Sequence, residues 1–594
     1  KDSLNADSTW YWLDISGLTP GTEIGFQYLV DGNIRIHDPY APIVLDPFND
    51  QFIPESTYPN LKAYPEGKTS GIVGVMFPGA EPYAWEVENF QKPDRESLVV
   101  YELLVRDFLE DRNYTTLIDT LDYLEHLGIN AIELMPVSEF DGNISWGYNP
   151  LNHIALDKFY GPPSEFKRFV DECHKRGIAV ILDVVMNHAS DQNSFFQLYP
   201  ISENPYFNEV ATHSFNVFND FNHQYSGTQY YNKRMIEWWI NEYKIDGFRW
   251  DLTKGFTQNC ASGFDCTQGF NQDRVDVLKQ YADYQWAADP DFYVIFEHLG
   301  SGGSFTEEVE WANYRLDEGK GIMLWGKANA EYNEATMGYH SNGQSDFGGV
   351  LSPTSFTAKS RVGYMESHDE QWLMFKNINF GNMEGDYNIR DLETALDRME
   401  LAGTFFFLLP GPKMIWQFGE LGYGYGDNGE QCVKPGNGTN GDCPAFAPGR
   451  TDEKPIRWDY YSEKGRKDLY EHWSNLLELR WLSPVFTEPE ATNYDFRYSV
   501  KSFSLQHPDT DVFAIGNFSV STQTEAKDIP QTGTWYNYFT GEEVNFSTTT
   551  PEFVLDPGEF RVFTTKQFAL PTSSEEEVIA EEPRPRGGPS CVRI

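Results

Sequence analysis

Basic residues are scarce in this 594-residue chain, where 45 Lys and Arg stand against 90 Asp and Glu for a formal net charge of −45. Nucleic acid binding needs Lys and Arg to neutralise phosphates, so this balance disfavours nucleic acid and anionic membrane surfaces as partners. Long apolar runs are missing too, and none reaches the 18 or more residues of a spanning helix. The chain opens at Lys1 without Met or signal peptide, and the expectation is a mature or truncated soluble protein, secreted or periplasmic. Cysteine is sparse at six. Cys260 with Cys266, and Cys432 with Cys443, lie close together in Gly-rich loop-like segments, a spacing that allows two local disulfides and suits an oxidising compartment. Cys173 falls in a helical pattern and reads as a buried thiol; Cys591 lies in the tail. Several catalytic signatures are absent: no Gly-x-Ser-x-Gly elbow, no Walker loop, and no Gly-x-Gly-x-x-Gly after a strand. What is plentiful is aromatic surface, with 16 Trp, 34 Tyr and 43 Phe. Flat apolar faces serve sugar rings as well as cores, and composition leaves both uses open.

The length argues for several domains. Residues 1–80 alternate like a small β-domain, with Trp10 to Ile15 and Ile24 to Val30 followed by the hairpin signal Asp31-Gly32. Lys1 begins almost on a strand, so this unit is expected to be a β-sandwich lacking its first strands. From residue 97 to 482, short apolar runs alternate with helical patterns. Strands are expected at 98–104, 130–135, 179–183, 247–251, 293–297, 321–324, 362–366 and 413–417, with helices at 116–127, 164–176, 231–243, 272–288 and 390–409. Eight such units form a (β/α)₈ barrel with insertions, whose functional groups gather at the C-terminal strand ends. Residues 483–568 return to β periodicity and are expected to form a C-terminal β-sandwich; residues 572–594 have no period and read as a disordered tail.

Polar clusters end four of these strands: Asp183 to His188 the third, Arg249-Trp250-Asp251 through Lys254 the fourth, Glu297-His298 the fifth, and Glu366-Ser367-His368-Asp369 the seventh. An acid at one strand end is commonly a helix cap or a structural ion pair. Four in order on one barrel point to chemistry. Cleavage of a glycosidic bond needs such a set, because an oxocarbenium-like transition state calls for one carboxylic acid at the leaving oxygen and one carboxylate at the anomeric carbon. Metal-dependent hydrolysis is the rival, but His188, His298 and His368 lack a two-histidine ligand spacing on one element.

These ordered motifs resemble the α-amylase family, glycoside hydrolase family 13, over about residues 97–480, with weaker likeness at both ends. The resemblance implies a retaining mechanism with Asp251 as nucleophile, Glu297 as general acid and base, and Asp369 as the third carboxylate that holds sugar hydroxyls. It implies substrate contacts from Tyr148 as a stacking platform, from His188 and His368 at sugar hydroxyls, and from Lys254 at the leaving-group side. Arg249 is expected to hold Asp251 ionised, since a neighbouring cation lowers a carboxylate pKa, and Asp183 to organise Arg249. Asn187 resembles a ligand of a structural Ca²⁺; no organic cofactor is implied. Asn219 to Asn222 resembles a motif of the isoamylase and pullulanase branches, and Gly419-Glu420 the family's turn after the eighth strand. The N-terminal unit, with Asp38-Pro39-Tyr40-Ala41, is similar to the β-sandwich that precedes the barrel in isoamylases and branching enzymes.

The implied substrate is an α-glucan. Lys254 favours endo-acting α-1,4 hydrolysis of starch or maltodextrin, because debranching relatives usually lack that lysine. Ser367, where Asn is common, and the N-terminal unit favour α-1,6 debranching or glucan branching, which rank second and third. A non-catalytic glucan-binding relative is a fourth reading, against which the intact acid trio argues.

Overall fold

In the computed structural model, residues 3–4, 11–12, 14–261, 263–340, 344–424, 426 and 449–571 are described. Eight parallel strands close a barrel: β1 (Val99–Leu103), β2 (Ala131–Leu134), β3 (Ala179–Val184), β4 (Gly247–Trp250), β5 (Tyr293–Phe296), β6 (Met323–Lys327), β7 (Arg361–Tyr364) and β8 (Lys413–Trp416), with β8 pairing back onto β1. Their apolar runs reflect burial on both faces, as a parallel barrel requires. Each strand is followed by a helix: α1 (Leu121–Leu127), α2 (Pro163–Lys175), α3 (Ser226–Tyr243), α4 (Gln272–Ala288), α5 (Gly303–Ala312), α6 (Asn329–Thr336), α7 (Leu392–Phe407) and α8 (Lys464–Leu482). Helix α2 begins on Pro163, ends with His174 and Lys175, and faces inward with Phe166, Phe169, Val170 and Cys173, which is a free, buried thiol. The sixth strand lies two residues later than expected, because Gly321 is held at φ 112 beside Arg95 and the pleat begins only at Met323.

Alternation along the strands sets two populations. Leu98, Val100, Ala131, Ala179, Ile181, Tyr293, Ile295, Met323, Val362 and Met414 fill the barrel interior, whereas Val99, Tyr101, Ile132, Leu182, Phe248 and Val294 pack outward in the large core with the helices. Gly247 belongs to the inward set: a Cβ there would lie 2.8 Å from that of Tyr293, so the foot of β4 has no room for a side chain. Two residues on from Val100, Ala131, Ile181, Gly247 and Ile295, toward the C-terminal end, the same faces carry Glu102, Glu133, Asp183, Arg249 and Glu297.

The N-terminal unit is slighter than the expected sandwich. Its strands run only two to four residues, giving one three-stranded sheet (Ile24–Phe26, Val73–Met76, Ile43–Leu45) and the two-stranded pairs Tyr28–Val30 with Ile34–Ile36 and Ser3–Leu4 with Tyr11–Trp12. At the other end, a six-stranded antiparallel sheet faces the pair Gln523–Ala526 and Glu552–Leu555 across a core that includes Phe513, Trp535, Phe553 and Phe563. Arg398 of α7, fully buried, joins it to the barrel by donating to the carbonyls of Asn517, Phe518 and Ser519 at 3.3, 2.6 and 3.4 Å. Cys260 and Cys266 form a disulfide. The expected Cys432–Cys443 bridge, Cys591 and the 572–594 tail lie outside the described residues.

Candidate active site

Register brings the acids together. Asp183 of β3 pairs directly with Arg249 of β4, and Trp250 with Phe296 of β5, so the residues that follow, Asp251 and Glu297, leave adjacent strand ends. Arg249 is fully buried and divides its guanidinium among three carboxylates: Nη1 meets Asp183 Oδ2 at 2.8 Å and Asp251 Oδ1 at 3.0 Å, and Nη2 meets Glu297 Oε2 at 3.1 Å. Its flat face lies 4.0 Å from the Trp325 ring centroid, a second brake on its orientation. The backbone N–H of Leu252 donates to Glu297 Oε2 at 2.7 Å, which requires Leu252 to sit in the left-handed region at φ 42. Strain of this kind at a branched side chain persists only where surrounding contacts over-determine it.

A second chain of contacts reaches the seventh strand. His368 Nδ1 donates to Glu102 Oε1 at 2.5 Å; its Nε2 lies 3.0 Å from the Tyr148 hydroxyl, which donates to Asp183 Oδ2 at 2.5 Å. Asp369 accepts from Arg450 Nη1 at 2.5 Å and lies 3.4 Å from His368 Nε2. His188 Nε2 donates to the Tyr148 carbonyl at 2.8 Å, fixing the loop that carries that ring. Gly147 makes the loop's turn at φ 93, where a Cβ would come within 2.5 Å of the Pro136 carbonyl.

Electrostatics follow from crowding. Burial, chiefly, raises the Glu297 carboxyl above the ordinary carboxylate range, with Arg249 opposing and Asp369 adding to the rise. Asp251 moves the same way: burial lifts it, Arg249 pulls it down, and Glu297, Asp183 and Asp369 push it up. Arg249 thus pulls Asp251 in the expected direction, but burial, with the neighbouring acids added, outweighs it. Asp369 goes down, since His368 and Arg450 outweigh its burial. Burial alone would lower His368, but Asp369 and Glu102 push it up to about 10, so it is a cation at neutral pH; His188, buried without such partners, falls to about 4 and is neutral.

All the sequence-predicted site residues lie at or beside the C-terminal strand ends, though not all face the same work. Lys254, lowered by burial, donates to the Leu299 carbonyl at 3.1 Å. Asn187 donates to Asp251 Oδ2 at 3.5 Å, while its Oδ1 is buried without a hydrogen-bond partner. That single oxygen does not make a Ca²⁺ site, which needs six to eight oxygen donors. The Asp220 oxygens across the β3–β4 segment are taken by His213 Nε2 at 3.0 Å and Asn208 Nδ2 at 2.8 Å. Among the described residues no group of three or more His, Cys, Asp or Glu gathers as for a metal. Glu420 accepts from Tyr101 and Tyr123 at 2.9 and 2.7 Å and is structural.

Several site residues escaped sequence reasoning. Glu102 and Glu133 are fully buried and paired in register on β1 and β2; burial, then Glu102, raises Glu133 well above the ordinary range. Their signal was available: each stands in an apolar strand two residues past an inward position. Arg450 and the ring of Phe218, 5.5 Å from His188, come from segments without period and carried no signal.

Known proteins resemble this chain in sequence and in fold. The family model described as "Alpha amylase, catalytic domain" matches residues 113–206. A malto-oligosyltrehalose trehalohydrolase of Saccharolobus solfataricus is 35% identical over 260 residues, 43% of this chain and 42% of that one. The chloroplastic isoamylase SU1 of Zea mays is 27% identical over 257 residues, 37% of this chain and 32% of that one. The chain thus spans less than half the length of these curated relatives. Among solved structures, a type I pullulanase from Bacillus subtilis shares the fold at a TM-score of 0.62 and 18% identity, covering 83% of this chain and 73% of that one.

Proposed function

The chain belongs to the α-amylase family of glycoside hydrolases, and from that premise we propose that it hydrolyses an α-glucosidic bond of an α-glucan with retention at the anomeric carbon. The observation that carries this reading is the single buried guanidinium of Arg249 contacting both Asp251 and Glu297 at 3.0 and 3.1 Å. A retaining pair flanks the scissile bond with its carboxyl groups about 5–5.5 Å apart, and a shared guanidinium favours so short a separation.

In the first step the Asp251 carboxylate attacks C1 of the bound sugar while Glu297 gives its proton to the departing glycosidic oxygen. Burial raises the Glu297 carboxyl above its ordinary value, the direction that suits a general acid. In the second, Glu297 takes a proton from water as the water oxygen attacks C1, and Asp251 leaves. Asp369, ionised, accepts hydrogen bonds from sugar hydroxyls, and His368, protonated, donates to them. Tyr148, tied through its hydroxyl to Asp183 and His368, presents its ring as a floor for the sugar.

The linkage reading changes. Endo-acting α-1,4 cleavage stood first on the strength of Lys254, but that amine is engaged with the Leu299 carbonyl. Similarity to an isoamylase supports α-1,6 debranching ahead of it. A second reading, hydrolysis of malto-oligosyltrehalose, is favoured by the 35% identity to a trehalohydrolase. The Cys260–Cys266 disulfide supports an oxidising, extracytoplasmic location as part of the proposal. Product analysis on amylose, pullulan, amylopectin and malto-oligosyltrehalose decides among these. Debranching predicts linear oligosaccharides from amylopectin and slow viscosity loss on amylose; rapid thinning of linear amylose restores the endo reading. An initial β-anomer in the product would overturn retention.

A further inference from the structure

Phe48 and Phe52 are 71 and 69% exposed, more than any other aromatic side chain among the described residues. Their segment is not a loose loop. Asp46 accepts from the backbone N–H of Phe48 at 2.7 Å and from Asn49 Nδ2 at 2.7 Å, and Asp50 closes back on the Asp46 N–H at 2.9 Å. Lys158, buried in the barrel domain, reaches Asp50 Oδ1 at 3.3 Å and also holds Glu139, so a buried cation anchors the segment to the barrel. A rigid scaffold that holds two phenyl rings in water gains nothing for its own fold, because their apolar surface stays unburied.

The segment is continuous with the candidate active site. Asn143 Nδ2 donates to the Asn49 carbonyl at 2.9 Å, and the same loop carries Ile144, 50% exposed, then Trp146 and Tyr148. Hydrogen bonds between Asp141 and Asn149 at 3.1 and 2.8 Å close that loop, so its tip and the Tyr148 ring are fixed relative to each other.

We propose that Phe48 and Phe52, with Ile144, form a binding platform through which the N-terminal unit grips an α-glucan chain running out of the catalytic cleft. Pyranose rings offer apolar C–H faces to the phenyl rings, while Asn49 and the exposed Asp141 beside them accept from and donate to the hydroxyls. The acidic rim excludes polyanions and leaves a neutral, hydroxyl-rich polymer as the complementary ligand. The proposal rests on the glucan reading above.

The test uses the full chain with Asp251→Asn to stop turnover, and measures affinity for glycogen and for maltotriose, too short to span from cleft to platform. Phe48→Ala/Phe52→Ala is expected to weaken glycogen binding at least fivefold and maltotriose binding far less, and Phe48→Trp/Phe52→Trp to restore it where Phe48→Leu/Phe52→Leu does not. Unchanged glycogen affinity, or an equal loss on both ligands, overturns the platform. So does a concentration-dependent dimer that the alanine pair abolishes, which would assign the face to a second copy. The two readings fail separately. A wild-type chain that hydrolyses glucan while the alanine pair binds glycogen normally sinks the platform alone. A chain that hydrolyses no glucan yet binds glycogen through these rings sinks the hydrolase reading alone.

Discussion

Replacing Arg249 with Met removes the one cation that Asp183, Asp251 and Glu297 share within 3.1 Å. Methionine fills similar volume, so the loss is mainly electrostatic. Breaking a buried ion pair by deleting one partner costs about 3–5 kcal/mol, because it strands buried charge. Here the cost depends on pH. Without the guanidinium, which lowers both, the Asp251 and Glu297 carboxyls have folded pKa values further above their unfolded ones. A carboxyl raised in the folded state destabilises as pH climbs past its unfolded value, about 4, so the deficit is small near pH 4 and grows until pH passes the raised folded value. Urea unfolding at pH 5 and pH 8 should therefore give unequal deficits, larger at pH 8, together with a fall in kcat/KM on soluble glucan on the order of 10³. Arg249→Lys should recover part of the stability but little activity, since a single ammonium cannot span the Nη1 and Nη2 contacts. Equal deficits at the two pH values, or a deficit under about 1 kcal/mol, would show that Arg249 is not the shared counter-ion.

Other perturbations probe separate links. His368, raised from 6.5 to about 10, contributes stability that is complete below pH 6.5 and lost as pH rises through about 10. The stability gap between wild type and His368→Gln should close over that window in denaturant titrations, and a gap that widens with pH refutes the cation. Gly147→Ala drives a Cβ to within 2.5 Å of the Pro136 carbonyl at a positive φ, so kcat should fall at least tenfold with less change in melting temperature; wild-type kinetics would show that the Tyr148 loop tolerates displacement. Arg398→Met leaves the Asn517, Phe518 and Ser519 carbonyls without their donor, and limited proteolysis should release the C-terminal sheet earlier than in wild type. Chelation with EDTA is expected to leave the melting temperature unchanged, because the residues around Asn187 do not assemble the donors that calcium needs; a fall of several degrees would place a cation there.

The barrel was legible in the chain because its strands are apolar on both faces and are separated by helical periods. That pattern gave all eight strands, and it placed Asp183, Arg249, Asp251 and Glu297 at the ends where functional groups collect. The same alternation held a signal for Glu102 and Glu133 that went unread, since period two along a strand is a local property. The sixth strand slipped because Gly321 and Arg95, 226 residues apart, decide where its pleat starts. The N-terminal strands are too short for a period to define their sheets.

What the sequence determined by itself was the set of acids and their order along the barrel, because strand register and side-chain alternation follow from local backbone geometry. Tertiary structure alone decided their charge. Arg249 is divided among three carboxylates, Arg450 meets Asp369 from 81 residues away, and His368 becomes a cation through Glu102, 266 residues distant. Ionisation depends on burial and on neighbours that only the closed barrel brings within a few ångströms, and no pattern along the chain encodes those distances. The same holds for Phe48 and Phe52, whose exposure only the fold decides.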